Sequence, residues 1–109
     1  MSTNTFTRYT AKSVGTTPVV LGTAASATQT TVIGTTLSNT TTSPVTVSIY
    51  VTASGVNYYV VENATIPVGG SLALFGADGK LVLVTGDAFT VVAGAASSVD
   101  VITSVLQIT

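Results

Sequence analysis

Apolar and polar residues alternate along much of this chain with a period of two. The stretch 44–61, PVTVSIYVTASGVNYYVV, shows it most clearly, because the odd positions of 45–52 are apolar and the even positions carry hydroxyl groups. Successive side chains of a β-strand point to opposite faces, so this pattern predicts a strand with one buried and one hydroxyl-bearing face. Ala53-Ser54-Gly55 predicts a turn, after which the alternation resumes at 56–62.

Turn-forming residues then divide the whole chain into short segments. The Asp78-Gly79 pair between LALF and LVLV is the strongest hairpin signal. No segment has the 3.6-residue period of an amphipathic helix. The predicted strands are 5–12, 17–23, 29–38, 44–52, 56–62, 71–75, 80–84, 88–93 and 98–108. Short strands at this spacing predict an all-β fold: a single-domain antiparallel β-sandwich, jelly-roll-like, with an N-terminal arm.

We expect residues 1–12 to form that arm or an edge strand, and residues 13–109 to form the sandwich. The chain length suits one domain that buries a core. The core is predicted from the apolar faces of the proposed strands. It contains Val32, Val47, Ile49, Val60, Leu72, Leu74, Leu83, Val91, Val101 and Val105.

The last predicted strand, SVDVITSVLQI, is apolar on both faces. Val99, Val101 and Val105 point one way, and Ile102, Leu106 and Ile108 point the other. A strand that is apolar on both faces needs cover on both sides, and a single chain of this size has few layers to provide it. We therefore expect a homo-oligomer, with a trimer favoured.

Composition makes the surface unusual. Charged residues are 6% of the chain, compared with roughly 25% in average domains. Residues 13–61 carry no charge, whereas threonine and serine together number 33. The polar surface is therefore built from hydroxyl groups. The net charge is −1 and no basic cluster is present, so we expect neither nucleic acid nor a membrane as a partner.

The residues of common active sites are scarce. Histidine and cysteine are absent, which removes imidazole chemistry, nucleophilic triads that depend on it, and typical zinc sites. Most of the four acids lie in predicted turns, although Asp78 or Asp87 could each give one ligand to calcium. We expect no enzyme activity, no catalytic residue, no metal site and no cofactor. Tyr50, Tyr58 and Tyr59 leave open a sugar-binding surface.

Residues typical of protein interfaces collect near the N-terminus. Aromatic residues and arginine contribute much of the binding energy at protein interfaces, and they stand here beside two of the three cations. The predicted interface residues are Phe6, Arg8, Tyr9 and Lys12, together with Tyr50 and Tyr58. We expect deletion of residues 2–12 to leave the sandwich folded and to weaken attachment to a partner.

Several stretches, taken in order, resemble small virion structural proteins of tailed bacteriophages. They are FTRYTAKSVGT (6–16), TTVIG (30–34), ENATIPVGGSL (62–72), KLVLVTGD (80–87) and SSVDVITSVLQI (97–108). The resemblance implies a β-structured virion component present in many copies, either a capsid decoration (cement) protein or a neck–tail component.

The function expected from residues and resemblance is a structural component of a phage virion. Within that class we favour capsid decoration, in which the protein stabilises the particle by contacts with the major capsid protein or another virion protein. The alternatives are a neck, tail or fibre-base protein, or a carbohydrate-binding β-sandwich module. The start, MSTNTFTRYT, lacks a signal-peptide pattern, so we expect synthesis in the host cytoplasm and a final location in the virion.

Overall fold

The computed structural model describes residues 4–74 and 80–108, and these residues form nine strands. The predicted Asp78-Gly79 hairpin turn and the predicted strand residue Phe75 lie outside the described residues. The strands are β1 (Asn4–Val14), β2 (Val19–Thr23), β3 (Gln29–Asn39), β4 (Val45–Ala53), β5 (Val56–Ile66), β6 (Ser71–Leu74), β7 (Leu81–Leu83), β8 (Ala88–Ala93) and β9 (Val99–Ile108).

Two antiparallel sheets pack face to face. A five-stranded sheet has the order β1-β9-β3-β6, with β7 also paired to β3, and a four-stranded sheet has the order β2-β8-β4-β5. The first half of the chain thus pairs with the second half in reverse, β1 with β9, β2 with β8, β3 with β6 and β7, and β4 with β5. This is a long two-stranded ribbon rolled into a jelly-roll, and it confirms the predicted fold class.

The core lies between the inner faces of the sheets. The alternation predicted for 45–52 is confirmed, because Val45, Val47, Ile49 and Val51 are buried. Seven of the ten predicted core residues are buried, whereas Val60, Leu72 and Leu74 are half-buried at its margin. The largest side chains of the core that the prediction missed are Phe89, Leu37, Ile66, Val14 and Val99.

The N-terminal segment, expected as an arm or an edge strand, lies along β9 as the edge strand β1. Its pairing is continuous from Asn4, opposite Ile108, to Ala11, opposite Val101. The register then shifts before Val14, at Ser13, whose φ of 55° lies in the left-handed region. Such a bulge bends an edge strand and stops regular pairing.

Asn39 joins the two sheets at one end of the sandwich. It ends β3 in the five-stranded sheet, and its side-chain amide donates hydrogen bonds to the carbonyl oxygens of Ser43, at 2.9 Å, and Ile66, at 3.0 Å. Ile66 ends β5 in the four-stranded sheet. Because one buried amide binds the ends of strands from both sheets, this end of the sandwich is closed by hydrogen bonds as well as by apolar packing.

Candidate interface

The outer face of the five-stranded sheet is the face that points away from the four-stranded sheet. In β9 the odd-numbered residues from Val99 to Val105 are buried, so the even-numbered ones point outward. Ile102 is 56% exposed, although β9 is an inner strand of the sheet with neighbours on both sides. The second apolar face predicted for this strand therefore lies on the surface of the single chain.

Neighbouring strands extend this outer face. The registers align one residue from each of four strands in a row across the sheet, namely Phe6, Leu106, Thr31 and Val82. Phe6 is 73% and Val82 is 63% exposed. A second row runs from Thr10 through Ile102 to Thr36. Apolar and hydroxyl-bearing side chains thus form a continuous surface on this face.

The charges on this face lie along one edge. The Lys12 Nζ is 3.4 Å from an Asp100 carboxylate oxygen, and the other oxygen accepts the backbone N–H of Ser13 at 2.9 Å. The Ser13 hydrogen bond holds the pKa of Asp100 below its usual value, against the opposing effect of burial and with further help from Lys12. Among the described residues Arg8 forms no ion pair, so its charge is available to a partner.

A bulge shapes the centre of this region. The register of β3 against β9 shifts between Val32 and Gly34, so Ile33 is an extra residue in β3. Beside it lies an open depression of about 670 Å³, lined by Phe6, Thr7, Arg8, Ile33, Ser104 and Val105. Its lining residues combine apolar Phe6 and Ile33 with hydroxyl-bearing Thr7 and Ser104 and with the cation Arg8.

The predicted interface residues fall on different sides of the molecule. Phe6, Arg8 and Lys12 share the outer face of β1, because residues two apart point the same way. Tyr9 points inward, where it is half-buried against the core and its ring lies over Gly22. The structure therefore brings Phe6 and Arg8 together and separates Tyr9 from them.

The predicted tyrosine surface is also divided. Tyr50 lies opposite Tyr59, with ring centroids 5.1 Å apart and planes tilted by 50°. Tyr58 lies opposite the buried Val51, so it points to the other side of β5 from Tyr59. The three rings do not form the flat platform on which a sugar ring stacks.

Two valines of the outer face were not predicted as interface residues. Val82 and Val84 are both exposed and stand at the edge opposite β1. A signal for them existed, because the segment 80–84, KLVLV, is apolar at odd and even positions, as 98–108 is.

Two acidic side chains, Asp87 and Asp100, accept hydrogen bonds from the backbone. The Asp87 carboxylate accepts the N–H of Val84 at 2.9 Å, which closes the turn before β8. No group of three or more potential metal-ligating side chains occurs within residues 4–74 and 80–108. The same residues contain no helix long and apolar enough to cross a membrane.

Comparison with known proteins gives a match in fold only. No protein-family model matches the chain, and no curated protein matches its sequence. A chain in the acid-stable capsid structure of Helicobacter pylori bacteriophage KHP30 superposes with a TM-score of 0.52 at 12% identity, over 100% of this chain and 94% of that one.

Two further structures share the fold. A chain of infectious bursal disease virus, Gx strain, matches with a TM-score of 0.54 at 9% identity, over 99% of this chain but only 33% of its own length. A chain of the Bacillus endospore appendages, which are disulfide-linked pili, matches with a TM-score of 0.50 at 15% identity, over 98% of this chain and 85% of that one. The jelly-roll of this chain is thus a fold that viral particles and a pilus also use.

Proposed function

We propose that this chain is a structural protein of a phage virion that decorates the capsid, and that the outer face of the five-stranded sheet binds the particle. The observation that carries the proposal is the row of Phe6, Leu106, Thr31 and Val82 across four strands. A contiguous apolar surface on a small domain marks a place where another macromolecule binds.

The chemistry of this face suits a protein partner. Threonine and serine hydroxyls lose little on burial when they find hydrogen-bond partners, whereas a buried unpaired charge is costly. Within the outer face, Lys12 and Asp100 already neutralise each other. A partner therefore has to satisfy mainly hydroxyl groups and the one guanidinium of Arg8.

The end-to-end fold match to a chain in the KHP30 capsid structure supports a particle component of similar size. The pilus match gives weaker support for an appendage, because those pili are disulfide-linked and this chain has no cysteine. Subunits of this protein have to be held together by surface contacts. A protein whose surface is largely uncharged can be crowded in many copies with little mutual repulsion.

The test compares two chains that differ only in which face is changed. Ile102→Arg places a charge on the outer face, and Val20→Arg places one on the four-stranded sheet, at a residue with nearly the same exposure, 55%. Each variant replaces the wild-type chain in cells that produce the phage, and purified particles are analysed by gradient sedimentation and quantitative mass spectrometry.

We expect the Val20→Arg chain to remain on the particles and the Ile102→Arg chain to be lost, with both chains folded. A copy number close to that of the major capsid protein supports decoration, whereas a small fixed number indicates the neck, tail or fibre base. Equal retention of both variants would show that the outer face is not the binding surface. Loss of the chain from all particles, with binding to glycans by the purified protein, would favour a carbohydrate-binding module.

A further inference from the structure

The edges of the two sheets differ in how well they are protected against pairing with another chain. Exposed strand edges are usually shortened, bulged or charged, because their free backbone groups can bind a foreign strand. β2 is five residues long and contains a register shift, β6 and β7 are shorter still, and β5 has two register shifts against β4 and carries Glu62. β1 also carries two charges, Arg8 and Lys12, but it is 11 residues long and its pairing with β9 is regular from Asn4 to Ala11.

The direction of the backbone groups of β1 follows from hydrogen bonds near the end of β3. The N–H of Asn39 donates to Gly70, on the side of β6, and the N–H of Thr40 donates to Ser98, on the side of β9. Between the bulge at Ile33 and the end of β3, even-numbered residues of β3 thus bond to even-numbered residues of β9. The extra residue lies in β3 and not in β9, so the even-numbered residues of β9 face β3 on both sides of the bulge, and its odd-numbered residues are left to bond to β1.

The register of β1 against β9 pairs odd residues with odd residues, for example Thr7 with Val105. The backbone groups of the odd residues of β1 are therefore used within the chain. Those of Asn4, Phe6, Arg8 and Thr10 point away from the sheet, toward the open edge. This edge offers four residues with both a donor and an acceptor in one straight run.

We propose that β1 pairs with β1 of a second copy of this chain, antiparallel, across a two-fold axis at Thr7. The inference concerns the free protein and does not rest on attachment to a capsid. In this register Asn4 faces Thr10 of the second copy and Phe6 faces Arg8 of the second copy. All four outward-pointing residues of each strand then form hydrogen-bonded pairs.

The neighbouring registers are less favourable. An axis at Arg8 places two like charges opposite each other, which destabilises a strand pair. With the axis at Phe6, none of residues 4–10 of the second copy lies opposite Thr10. With the axis at Thr7, each guanidinium lies against the Phe6 ring of the other copy, and an arginine over an aromatic ring is attracted to it. Symmetry gives this contact twice.

The consequence is one sheet that runs through both copies. The outer faces of the two five-stranded sheets meet at β1, so the exposed Phe6 side chains lie at the centre of the pair. Ile102 and Val82 of the proposed capsid-binding face stay uncovered in this pair, whereas Phe6 and Arg8 lie at the contact between the two copies.

The first experiment measures the mass of the purified chain by analytical ultracentrifugation over a concentration series. We expect twice the chain mass of 10.9 kDa, in reversible equilibrium with the single chain. Phe6→Lys would set a lysine opposite Arg8 of the second copy. Since symmetry counts each cross-strand pair twice, the dissociation constant should rise about tenfold or more.

A compensating variant tests the register. Phe6→Lys combined with Arg8→Glu sets opposite charges against each other across the axis, and the affinity should return toward that of the wild type. Val20→Lys is the matched control, a lysine at another exposed apolar residue on a different edge strand, and should leave the affinity unchanged. Phe6 is largely exposed, so these variants should keep the urea midpoint of the wild type.

Amide hydrogen exchange gives an independent readout. The amides of Phe6 and Arg8 should exchange slowly at concentrations where the pair forms and quickly where it dissociates. A single-chain mass at all concentrations would overturn the proposal, as would a pair that Phe6→Lys leaves intact or that the double variant fails to restore. A mass three times that of one chain would support the trimer expected from the sequence and would also overturn the two-fold pairing.

Discussion

The replacement Asn39→Ala tests how much the hydrogen-bonded end of the sandwich contributes to stability. Asn39 is 7% exposed, and its side chain connects the end of β3 to the end of β5. Its amide donates to Ser43 and Ile66, with Pro67 at a longer 3.3 Å, and its carbonyl oxygen accepts both the N–H and the hydroxyl of Thr41, at 2.9 and 2.8 Å.

The magnitude follows from these bonds. The amide has two hydrogens, so it makes about two good donor bonds, and the carbonyl oxygen accepts two. Each bond contributes about 1 kcal/mol net, which gives about 4 kcal/mol before relaxation. The Thr41 hydroxyl also contacts the Ser43 carbonyl oxygen, and the surrounding loop is partly exposed, so water can replace part of the loss. We expect the free energy of unfolding to fall by about 3 kcal/mol, or about 13 °C in melting temperature.

Urea unfolding followed by circular dichroism measures this difference, with the slope of the transition unchanged. Asn57→Ala is the control, because Asn57 is exposed and its carbonyl oxygen accepts one bond from Thr52. It should change the free energy by less than about 0.5 kcal/mol. Asn39→Asp should be as damaging as Asn39→Ala, because a carboxylate cannot donate to the two carbonyl groups. A loss below about 1 kcal/mol for Asn39→Ala would refute the reasoning.

Three other perturbations have definite expected outcomes. Gly22→Ala adds a methyl group that would overlap the Tyr9 ring, so it should cost about 1–3 kcal/mol in urea unfolding, and less when combined with Tyr9→Ala. Asp100→Asn should lower the urea midpoint at pH 7. Because the N–H of Ser13 lowers the pKa of Asp100 in the folded chain, the difference in midpoint between wild type and variant is full above about pH 4 and shrinks as the pH falls through that lowered pKa. A difference in midpoint that does not shrink would contradict this. Deletion of residues 2–12 should lower the urea midpoint, because it removes Tyr9 from the core margin and leaves one edge of β9 without a paired strand. A truncated chain as stable as the full chain would show that this segment is an arm.

The sequence predicted the fold well wherever the alternation of side chains runs without interruption. β4 is the clearest case, since its apolar residues keep one phase from Val45 to Val51 and all are buried. Two of the misses, Ile66 and Val14, lie beyond bulges. The predicted strand 56–62 stopped short of Ile66 because Asn63, with a φ of 53°, shifts the phase and lets β5 continue. Val14, which lies between the predicted strands 5–12 and 17–23, returns to the core after the bulge at Ser13.

The candidate interface was predictable only where it depends on a local alternation of side chains. The second apolar face of β9 follows directly from its sequence, and Ile102 lies on the surface as that pattern requires. Which face of β1 points outward depends on its pairing with β9, about ninety residues away in sequence, and local patterns contain no information about it. For that reason Tyr9 was grouped with Phe6 and Arg8 although it points to the opposite side.

The position of β9 between β1 and β3 also affects when the protein can fold during its synthesis. β9 is translated after all the other strands, and until it leaves the ribosome β1 and β3 have no strand between them. Pairings between residues so distant in sequence form slowly, because the connecting chain has to be ordered first. The five-stranded sheet is therefore completed after translation has passed β9. Until then β1 and one edge of the uncharged β3 have no partner, and the nascent chain is most prone to aggregate at this stage.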